Sequence, residues 1–309
     1  MGVALGVVAG MGAVVAPGAV AAPSTCYVNG TAVTGTLIQG TAGNDTINCS
    51  GGVAAGTTVN GGAGNDTIEI SGVMAGAVNG GAGSDGITVA GTVGSAMVTG
   101  TVNGGGLLGA LLDGDDIISL ANFNTAAPVL AGTVDGGGGD DSIYVTSGRE
   151  GDAAPNSALV SGAVLRGGPG ADTIEIVGGS LRGAGSHAAV EAGATVDGGG
   201  LLGTLLDGYT TININRQRAE THGNRGTILL GDADGKVMMS LGDNAGTIDG
   251  QGGNDFIWTD TQVAPGKTLG GTGNDVLVVK TGVGLVDGGP GNDRCVAGDS
   301  LTTSSCESS

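Results

Sequence analysis

Aromatic side chains are nearly missing from this chain of 309 residues, which holds one Trp, three Tyr and two Phe. Large rings normally supply much of a globular core, so their scarcity excludes a single thick core and leaves a thin one built from small β-branched residues. Basic residues are also few: ten Lys and Arg stand against 29 acids, a formal net charge of −19, and none precedes Arg149. Gripping a phosphate backbone needs a basic face, so nucleic acid is disfavoured as a partner. The two histidines, His187 and His222, sit in no recognisable nucleophile context, and no GxSxG motif occurs, which excludes an ordinary serine hydrolase. The four cysteines form no CxxC or Cys/His cluster, which argues against zinc and thiol-redox chemistry. No long apolar run follows residue 22, so stable membrane insertion of a mature chain is not expected.

Residues 2–22 are small and apolar, and Ala19-Val20-Ala21 before Ala22-Pro23 has the small-x-small form of a signal-peptidase site. Residues 1–22 therefore read as a secretory signal, though without a preceding positive charge, and 300–309 as a polar C-terminal tail. Export makes the cysteines legible. Cys26 and Cys49 flank the start of the repetitive region and Cys295 and Cys306 its end; of the three possible pairings, Cys26 with Cys49 and Cys295 with Cys306 would staple the two ends.

What the chain has in abundance is glycine, 69 residues of it, organised into the phrase Gly-Gly-x-Gly-x-Asp at 61–66, 80–85, 136–141, 167–172, 270–275 and 288–293, with near copies at 40–45 and 250–255. Each copy follows an apolar residue and precedes a β-branched run, as in Val59 to Ile70, which reads as strand, turn, strand. The residues before the turns, Ile38, Val59, Val78, Val102, Val134, Leu165, Val196, Leu229, Ile248, Leu269 and Val286, set the coil register. The residues after them, Ile47, Ile68, Ile87, Ile118, Ile143, Ile174, Ile212, Ile257 and Leu277, should stack inward as a second ladder. The expectation is one all-β domain over 23–299: a right-handed parallel β-roll or β-helix of about eleven coils with disulfide-stapled ends. Two related cassettes, Gly104 to Gly114 and Gly198 to Gly208, read as apolar flaps folded over a coil end; after the second, Tyr209-Thr210-Thr211 has lost the carboxylates, so that turn should be metal-poor. Residues 146–160 and 178–195 read as polar surface loops.

The turn has a definite chemistry. A hard divalent cation takes six to eight oxygens from carboxylates and carbonyls, and a glycine turn closed by Asp supplies both. One turn cannot fill the shell, whereas the next turn, ~4.8 Å away, can contribute the rest, so sites should lie between coils. The best pairs are those joining 40–45, 61–66 and 80–85, and those joining 250–255, 270–275 and 288–293.

These turns resemble the RTX nonapeptide GGxGxDxUx of hemolysin-type calcium-binding proteins, where U is a large apolar residue. The resemblance implies a β-roll binding several Ca²⁺ ions. By position, the ligands it implies are Asp45, Asp66, Asp85, Asp116, Asp141, Asp172, Asp255, Asp275 and Asp293. Turn carbonyls would come from Gly61, Ala63, Gly80, Ala82, Gly270, Thr272, Gly288 and Pro290. It further implies folding driven by calcium after export, in a monomer that is secreted or held at the cell surface, with a structural or interaction role and no catalytic residues. Unlike family members with tandem nonapeptides and an attached enzyme or pore module, this chain has one good turn per coil and no such module. The competing reading is a β-solenoid lyase or epimerase, or an adhesin, using Arg216, Arg218, His222 and Arg225, the basic cluster in the coil that lacks carboxylates. Trp258 follows shortly after the closing Asp255 of a near-intact turn, where it is better placed as a fluorescence probe than as a functional group.

Overall fold

The computed structural model describes residues 23–91, 97–105, 113–122, 128–147, 157–178, 188–199, 208–216 and 222–307. The expected signal segment 1–22, most of both leucine cassettes, much of the two expected surface loops, His187 and Arg218 lie outside the described residues, as do the side chains of Arg216 and His222.

The chain winds between two parallel sheets, one of 14 strands and one of 12. A coil runs from a strand of the smaller sheet, such as Thr58–Ala63, through a glycine turn into a strand of the larger one, such as Thr67–Ser71, and returns by a second turn. Setting aside an N-terminal hairpin and the short strand His222–Asn224, the larger sheet has eleven parallel strands, one per coil. No helix occurs among the described residues, and none long and apolar enough to cross a membrane.

β-branched residues at every second position explain the strands. Thr67–Ser71 alternates exposed and buried side chains, and its Ile68 pairs in register with Ile47 before it and Ile87 after it. The expected ladder from Ile47 through Ile68, Ile87, Ile118, Ile143, Ile174, Ile212 and Ile257 to Leu277 is wholly buried. Two ladders face it: Ile38, Val59, Val78, Val102, Val134, Leu165 and Val196 from the smaller sheet, and Val53, Met74, Val98, Leu130, Leu159 and Val190 from the second turn. Each such side chain contributes about 1.5–3 kcal/mol by leaving water, so a narrow stack suffices where no thick core exists.

Two register positions differ from the sequence reading. The inward residues are Ile228 and Thr268, whereas Leu229 and Leu269 pair with Asp249 on the outer side. Both leucines directly precede a turn and look like core residues, but strand side chains alternate, so a shift of one position reverses the face.

The two ends are closed differently. Ser24–Val28 (β1) and Thr31–Gly35 (β2) form an antiparallel hairpin, and β1 lies antiparallel to Thr46–Cys49, covering the first edge of the larger sheet. The buried disulfide Cys26–Cys49 ties hairpin to coil, and Cys295–Cys306 ties the last coil to the terminus, which is the expected pairing. The terminus read as a polar tail instead supplies one more strand, Leu301–Ser304, parallel to Gly284–Asp287.

Candidate metal-binding turns

In the intact turns from 61–66 to 270–275 the glycines at the second and fourth positions adopt left-handed backbone, as Gly62 at φ 119° and Gly64 at φ 101° do, which only glycine adopts without strain; in the last turn, 288–293, Gly289 alone does. The first glycine is required for another reason. A Cβ on Gly61 would fall inside contact distance of both Asp66 Oδ2 and the Gly80 carbonyl oxygen. The same convergence of an Asp Oδ2 with the first-glycine carbonyl of the next coil occurs around Gly40, Gly80, Gly104, Gly136, Gly250 and Gly270.

The nine aspartates named from the sequence are all buried, at 1–3% exposure. They form a ladder in which one carboxylate oxygen reaches back to the preceding coil: Asp66 Oδ1 accepts the Asp45 amide at 2.7 Å and Asp85 Oδ1 the Asp66 amide at 2.7 Å. The series continues through Asp116, Asp141 and Asp172, and again through Asp255, Asp275 and Asp293. A second ladder lies one residue earlier and runs the other way. Asn44 Oδ1 accepts the Asn65 amide at 2.9 Å, and Asp234, Asn254 and Asn274 each accept the amide of the following coil. Where x is Asn or Asp, the x-Asp pair thus satisfies two main-chain donors that the sheets cannot reach.

The remaining oxygens point to a cation. Oδ2 of Asp66, Asp85, Asp116, Asp141, Asp255, Asp275 and Asp293 is buried with no hydrogen-bond partner, beside a carbonyl oxygen that cannot donate. Burial, with neighbouring carboxylates adding to it, pushes Asp85 up to about 6 and Asp116, Asp141 and Asp255 up to about 8; Asp66 and Asp275 are raised for the same reasons. Asp45 is the exception. The Thr41 amide, then the Asn29 and Thr41 side chains, hold it below the usual range. Among the described residues no three Asp, Glu, His or Cys side chains converge, so a cation between turns would draw most of its ligands from carbonyls. Of the carbonyls named from the sequence, those of Gly61, Gly80, Gly270 and Gly288 lie beside the carboxylates, while those of Ala82 and Pro290 accept the amides of Gly64 and Gly273. A carbonyl oxygen has two lone pairs, so that bond leaves one for a metal.

Two coils interrupt the ladder. Thr210 takes the Asp position in one, its methyl against Gly198 and its hydroxyl donating to the Gly198 carbonyl at 3.3 Å. In the next, Gly235 takes the Asp position and Leu230 the first-glycine position, so that an apolar side chain fills the space of the carboxylate. The loss of the closing carboxylate read from the sequence after the second cassette thus extends over two coils.

Several residues were not legible in the sequence as site members. The first cassette is inserted inside a turn, between Gly105 and Asp113, so Asp113 adds a carboxylate at the third position, where it helps raise Asp85, Asp116 and Asp141. Glu307 accepts the Asp293 amide. At the second turn Asn224, Asn244 and Gln262 form a buried amide ladder where earlier coils carry Val, Met or Leu. Of the basic cluster, Arg225 stands 3.6 Å from Glu191 and, with Lys267, lines a groove of about 320 Å³ at the second turn, on the edge away from the carboxylates.

The RTX calcium-binding nonapeptide repeat matches this chain in four copies, over residues 36–53, 51–69, 133–149 and 269–300. No curated protein and no solved structure matches it.

Proposed function

Because this chain carries RTX calcium-binding nonapeptide repeats, we propose that it is an exported solenoid in which Ca²⁺ held between neighbouring carboxylate turns drives folding. The observation that carries this reading is the row of buried, unpartnered Oδ2 atoms, each facing the carbonyl of the next coil. The holding groups are the nine aspartates with the first-glycine carbonyls, and the ion supplies the positive charge that the interior lacks.

Magnitudes favour a bound cation. Two carboxylates ~4.8 Å apart repel by about 3.5 kcal/mol at an effective dielectric of 20. The run from Asp45 to Asp172 contains five such neighbours, against a typical net stability of about 5–15 kcal/mol. The ladder must therefore be protonated, metallated or unfolded. Calcium affinity belongs to the weak extracellular class, with Kd on the order of 10⁻⁴–10⁻³ M, so the chain stays unfolded at cytosolic calcium and folds outside. Two disulfides, with no free cysteine among the described residues, support an oxidising compartment. The folded chain then acts by binding, as a monomeric spacer or interaction surface.

Circular dichroism of the mature chain in chelator, then in Ca²⁺, with Mg²⁺ as control, tests the reading. Little β-structure in chelator and a full β-spectrum in calcium are expected, and a chelator-insensitive β-spectrum overturns calcium-driven folding. The groove beside Arg225 and Lys267 favours one competitor, a site for acidic polysaccharide; a screen for unsaturated sugar products distinguishes a lyase.

A further inference from the structure

The repeats stop at residues 288–293, yet the oxygens that follow the turns 250–255 and 270–275 continue beyond them. Within each block of the solenoid the next coil offers a closing Asp two groups. For Asp275 these are the Gly288 carbonyl, which converges with Asp275 Oδ2 around Gly270, and the Asp293 carboxylate, which accepts the Asp275 amide at 2.9 Å. Asp293 has no next coil, but it has both groups. The Ser305 carbonyl converges with Asp293 Oδ2 around Gly288, and Glu307 Oε2 accepts the Asp293 amide.

The main-chain register explains why the second group is Glu. The Glu307 amide donates to the Asp293 carbonyl at 2.8 Å, as the Arg294 amide does to the Asp275 carbonyl. Glu307 therefore occupies the position one residue after the closing Asp of a turn, and its extra methylene lets the carboxylate reach back. Ser305 sits at φ 49°, which turns the chain, and Cys306 is bonded to Cys295, two residues past Asp293. With the tail docked, Asp293 is 1% exposed and its Oδ2 is buried with no partner.

We propose that residues 305–307 form a surrogate half-turn that completes a last divalent-cation site, with Asp293 Oδ2, the Ser305 carbonyl and the Glu307 carboxylate among its ligands. This rests on the calcium reading above and extends it to a segment that carries no repeat. The disulfide keeps the half-turn docked, so the end of the rod binds metal only when Cys295 and Cys306 are joined.

Equilibrium dialysis with Ca²⁺ on the full oxidised chain tests it by counting ions per chain at saturation. E307Q preserves the shape and is expected to bind one ion fewer than the unaltered chain. The double variant C295S/C306S, which frees the tail, should lose the same ion, and adding E307Q to it should remove no more. An undiminished count in E307Q leaves Glu307 as a hydrogen-bonded cap and overturns the proposal. If the unaltered chain binds no calcium, both readings fall; if it binds calcium and D66A lowers the count while E307Q does not, only the terminal site falls.

Discussion

At the scale of single residues, the first glycine and the closing Asp of a turn share one volume, so neither changes alone without cost. Leu230 and Gly235 exchange the two roles: a Cβ on Gly235 would stand 3.1 Å from Leu230 Cδ2 and 3.3 Å from Asp255 Oδ1. G235D alone is expected to destabilise the calcium-loaded protein by about 1–3 kcal/mol through overpacking. L230G with G235D should restore that stability and raise the calcium bound per chain, as measured by dialysis and urea unfolding. The carboxylates also predict a pH response. The pKa values of Asp66, Asp85, Asp116, Asp141, Asp255 and Asp275 are raised on folding, so the metal-free fold takes up protons at these groups; the stability they contribute is greatest below the unfolded value near 4 and is lost as pH rises through about 6 for Asp85 and about 8 for Asp116, Asp141 and Asp255. In chelator, far-ultraviolet circular dichroism should show β-structure gained on acidification from pH ~9 to ~5, whereas in saturating calcium it should stay flat over that range. The nine aspartates were legible because one motif position repeats. Asp113 and Glu307 were not, because an inserted cassette and a one-residue offset hide their positions until the turns are stacked.

At the scale of the element, the strands were legible wherever β-branched residues alternate, and the misplacement of Leu229 and Leu269 arose where the residue before the turn is apolar on the outer face. Thr268 shows why pattern alone fails there. It is buried because its hydroxyl donates to Gln262 Oε1 at 2.7 Å, a partner that belongs to the second turn. That partner is part of the amide ladder, in which Asn244 accepts from Asn224 and Gly246 and donates to Gln262 and the Lys267 carbonyl. Removing it leaves several buried groups unpaired, so N244A should cost about 3 kcal/mol in urea unfolding at saturating calcium, without changing the number of ions bound. A change in that number would place the ladder in the metal site.

At the scale of the whole molecule, the coils of Thr210 and Gly235 divide the carboxylates into a block from Asp45 to Asp172 and a block from Asp255 to Asp293. Among the described residues no ladder of closing carboxylates crosses that gap, so calcium-driven folding should proceed in two phases. D85A should shift one phase to higher calcium and D275A the other; Trp258 fluorescence, in the second block, should follow only the latter. A single phase shifted equally by both variants would show the blocks to be one cooperative unit. The sequence by itself determined the repeat, the solenoid class and the ligand chemistry, because each follows from local spacing that recurs along the chain; which of the three cysteine pairings forms is seen only in the structure. Only the tertiary structure decided which oxygens remain unpartnered, where the ladder breaks and how its last member is supplied. Those properties belong to neighbouring coils, and residues 18 to 31 apart in the chain become neighbours only when it is wound.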